Sequence, residues 1–317
     1  MARSSVSPAH SAYPRPAGAG VRSGLVPLHV LRSLRPAQWT KNLIVFAGLI
    51  FGQKLFVPAE DLRACVAFVV FCALSGVVYL VNDVRDREAD QRHPIKSQRP
   101  IARGALSPAA AIAAAVLLGA SALVASAFLG PAFAVIAVGY LALLLGYSFS
   151  LKHVVILDVL TIAAGFVLRA MAGAVAVGVP FSNWLLLLTL LLALFLGLSK
   201  RRAELVALAD EAKHHRRALD EYSPYLLDQM ISVVTASTLL AYAFYTISPE
   251  TTQKFGTDHL LYTVPFPLYG IFRYLYLVHK RDGGGNPADA LMTDRPLLAC
   301  VALWAAVVVV IVYGPGH

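Results

Sequence analysis

The chain has 317 residues, 58% apolar and only 14% charged, with mean hydropathy +0.66 and a formal charge of +9. A soluble domain carries roughly twice that charged fraction, so the composition excludes a soluble globular protein and indicates an integral membrane protein. The basic residues sit between apolar runs, which argues against nucleic acid as a partner and for anionic headgroups and phosphorylated substrates.

In chain order, residues 1–24 are rich in Ser, Pro, Ala and Gly and read as a disordered cytoplasmic tail. Residues 25–317 read as a single all-α catalytic domain in the membrane. A spanning helix needs about 20 mostly apolar residues. Nine segments qualify, at about 42–57, 62–82, 107–128, 131–149, 154–177, 182–199, 227–248, 259–278 and 296–314. Lys and Arg then set the orientation. Counting the tail and the connections after even-numbered spans gives 22 of them; the opposite side holds only Lys54, Arg63 and Lys254. That bias predicts a cytoplasmic N-terminus, an external C-terminus and a site opening to the cytoplasm. The membrane expected is the plasma membrane. A homo-oligomer is compatible with the sequence.

The second span runs directly into Asn82-Asp83-Val84-Arg85-Asp86-Arg87-Glu88-Ala89-Asp90. If helical rotation continues, Asp83, Asp86 and Asp90 share one face, with Arg87 leaning towards it. Clustered carboxylates repel unless a cation sits among them, and hard oxygen ligands suit Mg²⁺, which binds a few carboxylates plus substrate phosphates. A solvated acidic helix end fits the same residues. Lys96, Arg99 and Arg103 follow, either to hold phosphates or only to satisfy the positive-inside rule.

Other polar residues stand out against the apolar background. Gln38, Lys41 and Asn42 precede the first span and fall on one side if that segment is helical; Trp39 fits an interfacial anchor. Tyr147 and Lys152 close the fourth span. The fifth holds Asp158 and Arg169, three turns apart and facing nearly the same way, with Gly165 between them. Ionisable residues within a span are functional candidates, and a structural ion pair with another span is the alternative. Lys200-Arg201-Arg202-Ala203-Glu204 closes the sixth span; Lys200 and Glu204 at i, i+4 also fit a plain helix-surface pair. Gly283, Gly284 and Gly285 either let backbone approach a ligand or make a turn. There is no phosphate-binding glycine loop, zinc-helix motif or nucleophile elbow.

Nine spans with Asn82, Asp83, Asp86 and Asp90 in an N-D-x-x-D-x-x-x-D pattern after the second resemble the UbiA superfamily of intramembrane prenyltransferases. The resemblance implies a UbiA-like helical bundle in which that motif holds Mg²⁺ and a diphosphate. Most members carry a second acidic motif after the sixth span. Here Lys200, Arg201 and Glu204 stand in its place, and Asp210 and Glu211 lack its spacing. Over residues 30–315 the segments Arg35-Pro36-x-Gln38-Trp39-x-Lys41-Asn42, Tyr79 to Asp86, Arg99 to Ala102, Gly165 to Gly173 and Lys200 to Leu205 are similar to the phosphoribosyltransferase branch of that superfamily. That likeness implies Mg²⁺-dependent transfer of 5-phosphoribose from phosphoribosyl pyrophosphate to polyprenyl (decaprenyl) phosphate, in arabinan precursor synthesis for the cell wall. Asp83, Asp86 and Asp90 are then the metal ligands, and Arg169 and Lys200 join them in catalysis. Gln38, Lys41, Asn82, Arg87, Lys96, Arg99, Tyr147, Lys152, Asp158, Arg201 and Glu204 are expected around the donor and its phosphates. A prenyl diphosphate enzyme with an aromatic acceptor is the first rival, and an organic-anion transporter the second.

Overall fold

The computed structural model describes residues 26–93, 95–208, 221–280 and 287–314. The expected tail lies outside them, as do Asp210, Glu211 and the glycines Gly283, Gly284 and Gly285. The described residues are all-helical, without a strand. Helix α1 (Val26–Ser33) leads to a 3₁₀ run over Pro36–Phe46 and then α2 (Ala47–Phe51), α3 (Pro58–Arg85) and α4 (Arg87–Arg92). Next come α5 (Pro108–Phe128), α6 (Pro131–Phe149), α7 (Leu157–Ala176) and α8 (Asn183–Leu208). The last are α9 (Pro224–Ile247), α10 (Pro249–Phe255), α11 (Pro265–Lys280), α12 (Pro287–Thr293) and α13 (Arg295–Tyr313).

Local sequence explains many of these starts. Ser107, Ser223 and Ser248 each accept a backbone N–H at an N-cap and are followed by proline, whose fixed φ suits the first helical position. Asp294 caps α13 in the same way.

Seven helices among the described residues are long and apolar enough to cross a membrane: α3, α5 to α9, and α13. The other two expected spans take different forms. The segment at 42–57 is the end of the 3₁₀ run plus the five residues of α2. Window hydropathy responds to apolarity and not to winding, so the segment read as an ordinary span. The segment at 259–278 divides into a 3₁₀ turn, His259–Thr263, and the 16-residue α11, because Pro265 lacks the N–H that would continue a helix.

Helices α3 and α7 form the centre, with 61% and 56% of their apolar windows buried, against 22–33% for the other five. One core packs Phe71 and Leu74 of α3, Phe133 and Tyr140 of α6, and Ala172 and Ala176 of α7. A second joins Val159 of α7 to Phe195 of α8, Leu227 of α9 and Tyr274 of α11. Helix α7 is therefore the wall shared by both halves. It meets the 3₁₀ run almost backbone to backbone: a Cβ at Gly173 would lie 1.9 Å from the Val45 carbonyl oxygen. Glycine there lets neighbouring segments approach, as small residues do in membrane helix packing.

Candidate active site

The acidic motif runs across the junction of α3 and α4. Helix α3 ends at Arg85, Asp86 leaves helical geometry at φ −88° and ψ 9°, and α4 begins at Arg87. The helical i→i−4 bonds nevertheless continue, from Asp86 N to the Asn82 carbonyl and from Asp90 N to the Asp86 carbonyl. Arg99 gathers two of the carboxylates, donating to Asp83 at 3.0 Å and Asp90 at 2.6 Å. Asp86 turns instead to Lys152, whose ammonium lies 2.7 and 2.8 Å from its two oxygens and 3.4 Å from the Asn82 amide oxygen. Lys152 thus reaches from beyond α6 to the motif at the end of α3.

A third cation arrives from the N-terminal side. Arg35 donates to Asp83 at 2.5 Å and lies 4.7 Å over the Tyr79 ring. Its backbone is left-handed, at φ 54° and ψ 67°, although the residue before a proline normally stays extended. In the sequence Arg35 counted towards topology and towards the resemblance, but not as a site residue. Charge balance was the usable signal, because three acids at one membrane depth need cations at that depth.

The 3₁₀ winding separates Gln38, Lys41 and Asn42, which were expected on one side. With three residues per turn, Gln38 and Lys41 align and Asn42 turns away. Asn42 is buried; its oxygen accepts from Arg169 Nε at 2.7 Å, and its Nδ2 donates to Cys72 Sγ at 3.2 Å. Lys41 is half-buried, and the charged groups acting on it include Lys200, Arg169, Arg35 and the acid Asp289. Burial first, then the three cations, pushes the Lys41 ammonium down to about 7.

Arg169 and Asp158 do not meet. The Arg169 guanidinium donates to the Tyr140 hydroxyl at 2.6 Å and is stacked between the rings of Tyr140 and Phe166. Asp158 forms the interhelical pair that its position left open as an alternative. One oxygen accepts from Arg201 Nε at 2.6 Å and the other from the Tyr222 hydroxyl at 2.8 Å. Arg201 also donates to Glu204 at 2.6 Å and to the Tyr147 hydroxyl at 3.2 Å. Arg201 is therefore buried and fully engaged, whereas Lys200 beside it is 41% exposed and 3.7 Å from Glu204.

Arg87 lines a cavity with Val84, Arg85, Glu88 and Gln91. Lys96 sits half-buried in a short 3₁₀ turn whose backbone N–H donates to His93 Nδ1.

No three His, Cys, Asp or Glu side chains among the described residues are grouped as a ready metal cage. Mg²⁺ does not require one. It usually keeps waters, takes one or two carboxylates and completes its shell with phosphate oxygens. Asp83, Asp86, Asp90 and Asn82 fit that demand by donor chemistry. The three cations resting on them show that positive charge is already favoured at this point.

The UbiA prenyltransferase family model matches residues 42–293. The decaprenyl-phosphate phosphoribosyltransferase of Corynebacterium glutamicum is 36% identical over 290 residues, covering 90% of this chain and 86% of the relative. The protein of that name from Mycobacterium tuberculosis is 35% identical over 285 residues, covering 88% and 92%. Among solved structures, a UbiA homologue from Archaeoglobus fulgidus bound to GPP and Mg²⁺ superposes with a TM-score of 0.69 at 18% identity, covering 90% of this chain and 99% of that one. All-helical architecture, two buried central helices and an N-D-x-x-D-x-x-x-D motif at the end of one of them agree with these matches: the chain belongs to the UbiA prenyltransferase family.

Proposed function

We propose that this chain transfers 5-phosphoribose from phosphoribosyl pyrophosphate to decaprenyl or another polyprenyl phosphate, releasing pyrophosphate, at the cytoplasmic face of the plasma membrane. Its product would feed arabinan synthesis in the cell wall. Residues 25–317 act as one catalytic domain that crosses the bilayer nine times, with the N-terminus inside. The observation that carries the reading is the set of cations gathered at and near the acidic motif: Arg35, Arg99 and Lys152 bond its carboxylates. Lys200, Arg169 and Arg35 act on Lys41 more strongly than the carboxylate of Asp289 does. A donor with a diphosphate and a 5-phosphate, together with a lipid phosphate, supplies negative charge for these cations. The names of the curated relatives support the same substrates.

Asp83, Asp86 and Asp90, with Asn82, are the residues that would hold Mg²⁺. The metal would offset negative charge growing on the diphosphate as the ribose C1–O bond breaks. Arg35, Arg99 and Lys152 orient those carboxylates, and the partly exposed guanidinium groups of Arg35 and Arg99 would offer further N–H groups to phosphate oxygens. Lys41 and Lys200 attract the 5-phosphate and the lipid phosphate. The acceptor is largely ionised at neutral pH, with a second pKa of about 6, so it needs positioning and not a general base.

The test is transfer of label in membranes carrying the protein. Labelled phosphoribosyl pyrophosphate plus polyprenyl phosphate is expected to give a labelled lipid, and excess chelator should stop it. Transfer of a labelled prenyl group to an aromatic acceptor, without phosphoribose transfer, would select the rival enzyme.

A further inference from the structure

We propose that Tyr222 is a positioning residue for the donor site: its hydroxyl locks Asp158 and the strained entry to α7, and Asp158 in turn fixes Arg201 and the end of α8 that carries Lys200. The inference rests on the reading above that Lys200 meets a donor phosphate.

The hydroxyl is used twice. It accepts the Ile156 backbone N–H at 2.7 Å and donates to Asp158 Oδ1 at 2.8 Å. Ile156 precedes α7 with φ 69° and ψ −48°, and Leu157 N donates to the Val155 carbonyl at 2.8 Å, closing a γ-turn around it. Positive φ at a β-branched residue is a true outlier, and this kind of γ-turn is rare and strained. Such a backbone persists only where its surroundings over-determine it. Here Tyr222 supplies the acceptor that the Ile156 N–H would otherwise lack.

The same hydroxyl governs the acid. Asp158 has two oxygens and two partners, Tyr222 and Arg201, and both Asp158 and Arg201 are almost wholly buried. With Tyr222 holding one oxygen, the other is presented to Arg201 in one orientation. Arg201 then spans Glu204 on its own helix and Tyr147 on α6, five residues before the Lys152 that holds Asp86. One phenol therefore connects the start of α9, the start of α7, the end of α8 and the end of α6. Phenylalanine would keep the ring, which packs with Val159, Phe195 and Leu227, and lose only the connections.

The experiment uses the full chain purified in detergent, with Tyr222→Phe, Lys200→Ala and the double variant. Tyr222→Phe is expected to raise KM for phosphoribosyl pyrophosphate about tenfold, the scale of one lost charge-assisted contact, while KM for polyprenyl phosphate stays unchanged. In the Lys200→Ala background the same change should add little, because both act on one contact. Additive effects, equal rises in both KM values, or an unchanged donor KM would overturn the positioning role. Ile156→Gly removes the backbone strain without touching the site. Tyr222→Phe combined with Ile156→Gly should recover the melting temperature but not the donor KM, and it carries the same comparison if Tyr222→Phe alone does not fold. Recovery of both together would make the hydroxyl purely structural and overturn the proposal. Wild-type protein that does not use phosphoribosyl pyrophosphate would defeat the functional reading and this inference with it.

Discussion

The chain contains two arginine–aspartate clusters of similar chemistry and opposite design. In the first, Arg35 and Arg99 meet Asp83 and Asp90; the arginines are 28% and 24% exposed, while the Asp83 side chain is at 2%. In the second, Arg201 and Asp158 are at 3% and 2%, and Tyr222, Tyr147 and Glu204 take their remaining hydrogen-bonding capacity. A buried pair repays its desolvation only when its remaining donors and acceptors are satisfied. The Asp158 cluster meets that condition, as a structural pair would. The Asp83 cluster keeps one side open, so its cations can serve a ligand as well as the acids beneath them. Exposure and satisfaction, not residue type, separate the two roles.

Breaking the closed cluster should have the largest effect on stability. Arg201→Ala leaves Asp158 buried with only Tyr222 as partner, and a loss of about 3–5 kcal/mol is expected in detergent unfolding. A variant with wild-type stability would remove the distinction between the clusters. Asp86 offers the complementary test, since it is 26% exposed and bonded to Lys152. Asp86→Ala should cut turnover by about a hundredfold or more with a small change in melting temperature. Asp83→Ala is a less clean experiment, because it strands two arginines around a buried position.

Arg169→Lys should fall between these extremes. Lysine cannot reproduce a fork that bonds Asn42 and Tyr140 and stacks between two rings. The expected cost is about 1.5–3 kcal/mol, read as a lowered melting temperature together with reduced activity. Loss of activity with no thermal change would move Arg169 from scaffold to ligand contact.

Lys41 gives a pH signature. With its pKa lowered to about 7, it is charged below that value and neutral above it unless an anion raises it again. Phosphate binds the charged form, so donor affinity should peak between about pH 6 and 7 and decline on the alkaline side. Because phosphate itself is ionised above its second pKa of about 6, a fall of about tenfold between pH 7.5 and 9 would belong to the lysine. Lys41→Arg should flatten the profile, and a profile unchanged by that substitution would contradict the assignment.

The smallest effect concerns Arg35. Both Arg35→Gly and Arg35→Ala lose the bond to Asp83, but glycine accepts the left-handed backbone. Arg35→Gly should therefore be the more stable of the two by about 1 kcal/mol, with donor affinity equally weakened. Equal melting temperatures would mean that the backbone carries no strain.

Much of the architecture was legible in the sequence because hydropathy and Ser-Pro starts are local signals. Seven of the expected spans correspond to continuous helices. The 3₁₀ winding before α2 and the break at Asp86 were not legible, since neither changes apolarity and Asp86 is not a typical helix breaker. The first accounts for Asn42 turning away from Gln38 and Lys41. The site was legible as a set of residue types but not as partners. That Arg99 would bridge two acids, Lys152 would take the third, and Tyr222 would join Asp158 depends on contacts 9 to 66 residues apart in the chain. Tyr222 carried no charge, motif or membrane position to distinguish it.

The most direct test of the cation-rich donor site is calorimetric titration of the detergent-purified protein with phosphoribosyl pyrophosphate, ribose 5-phosphate and a prenyl diphosphate, each with Mg²⁺. Saturable binding of phosphoribosyl pyrophosphate is predicted, with much weaker binding of ribose 5-phosphate. Lys200→Ala should weaken the former about tenfold or more. Equal binding of the two ribose compounds, or tight binding of the prenyl diphosphate alone, would contradict the account.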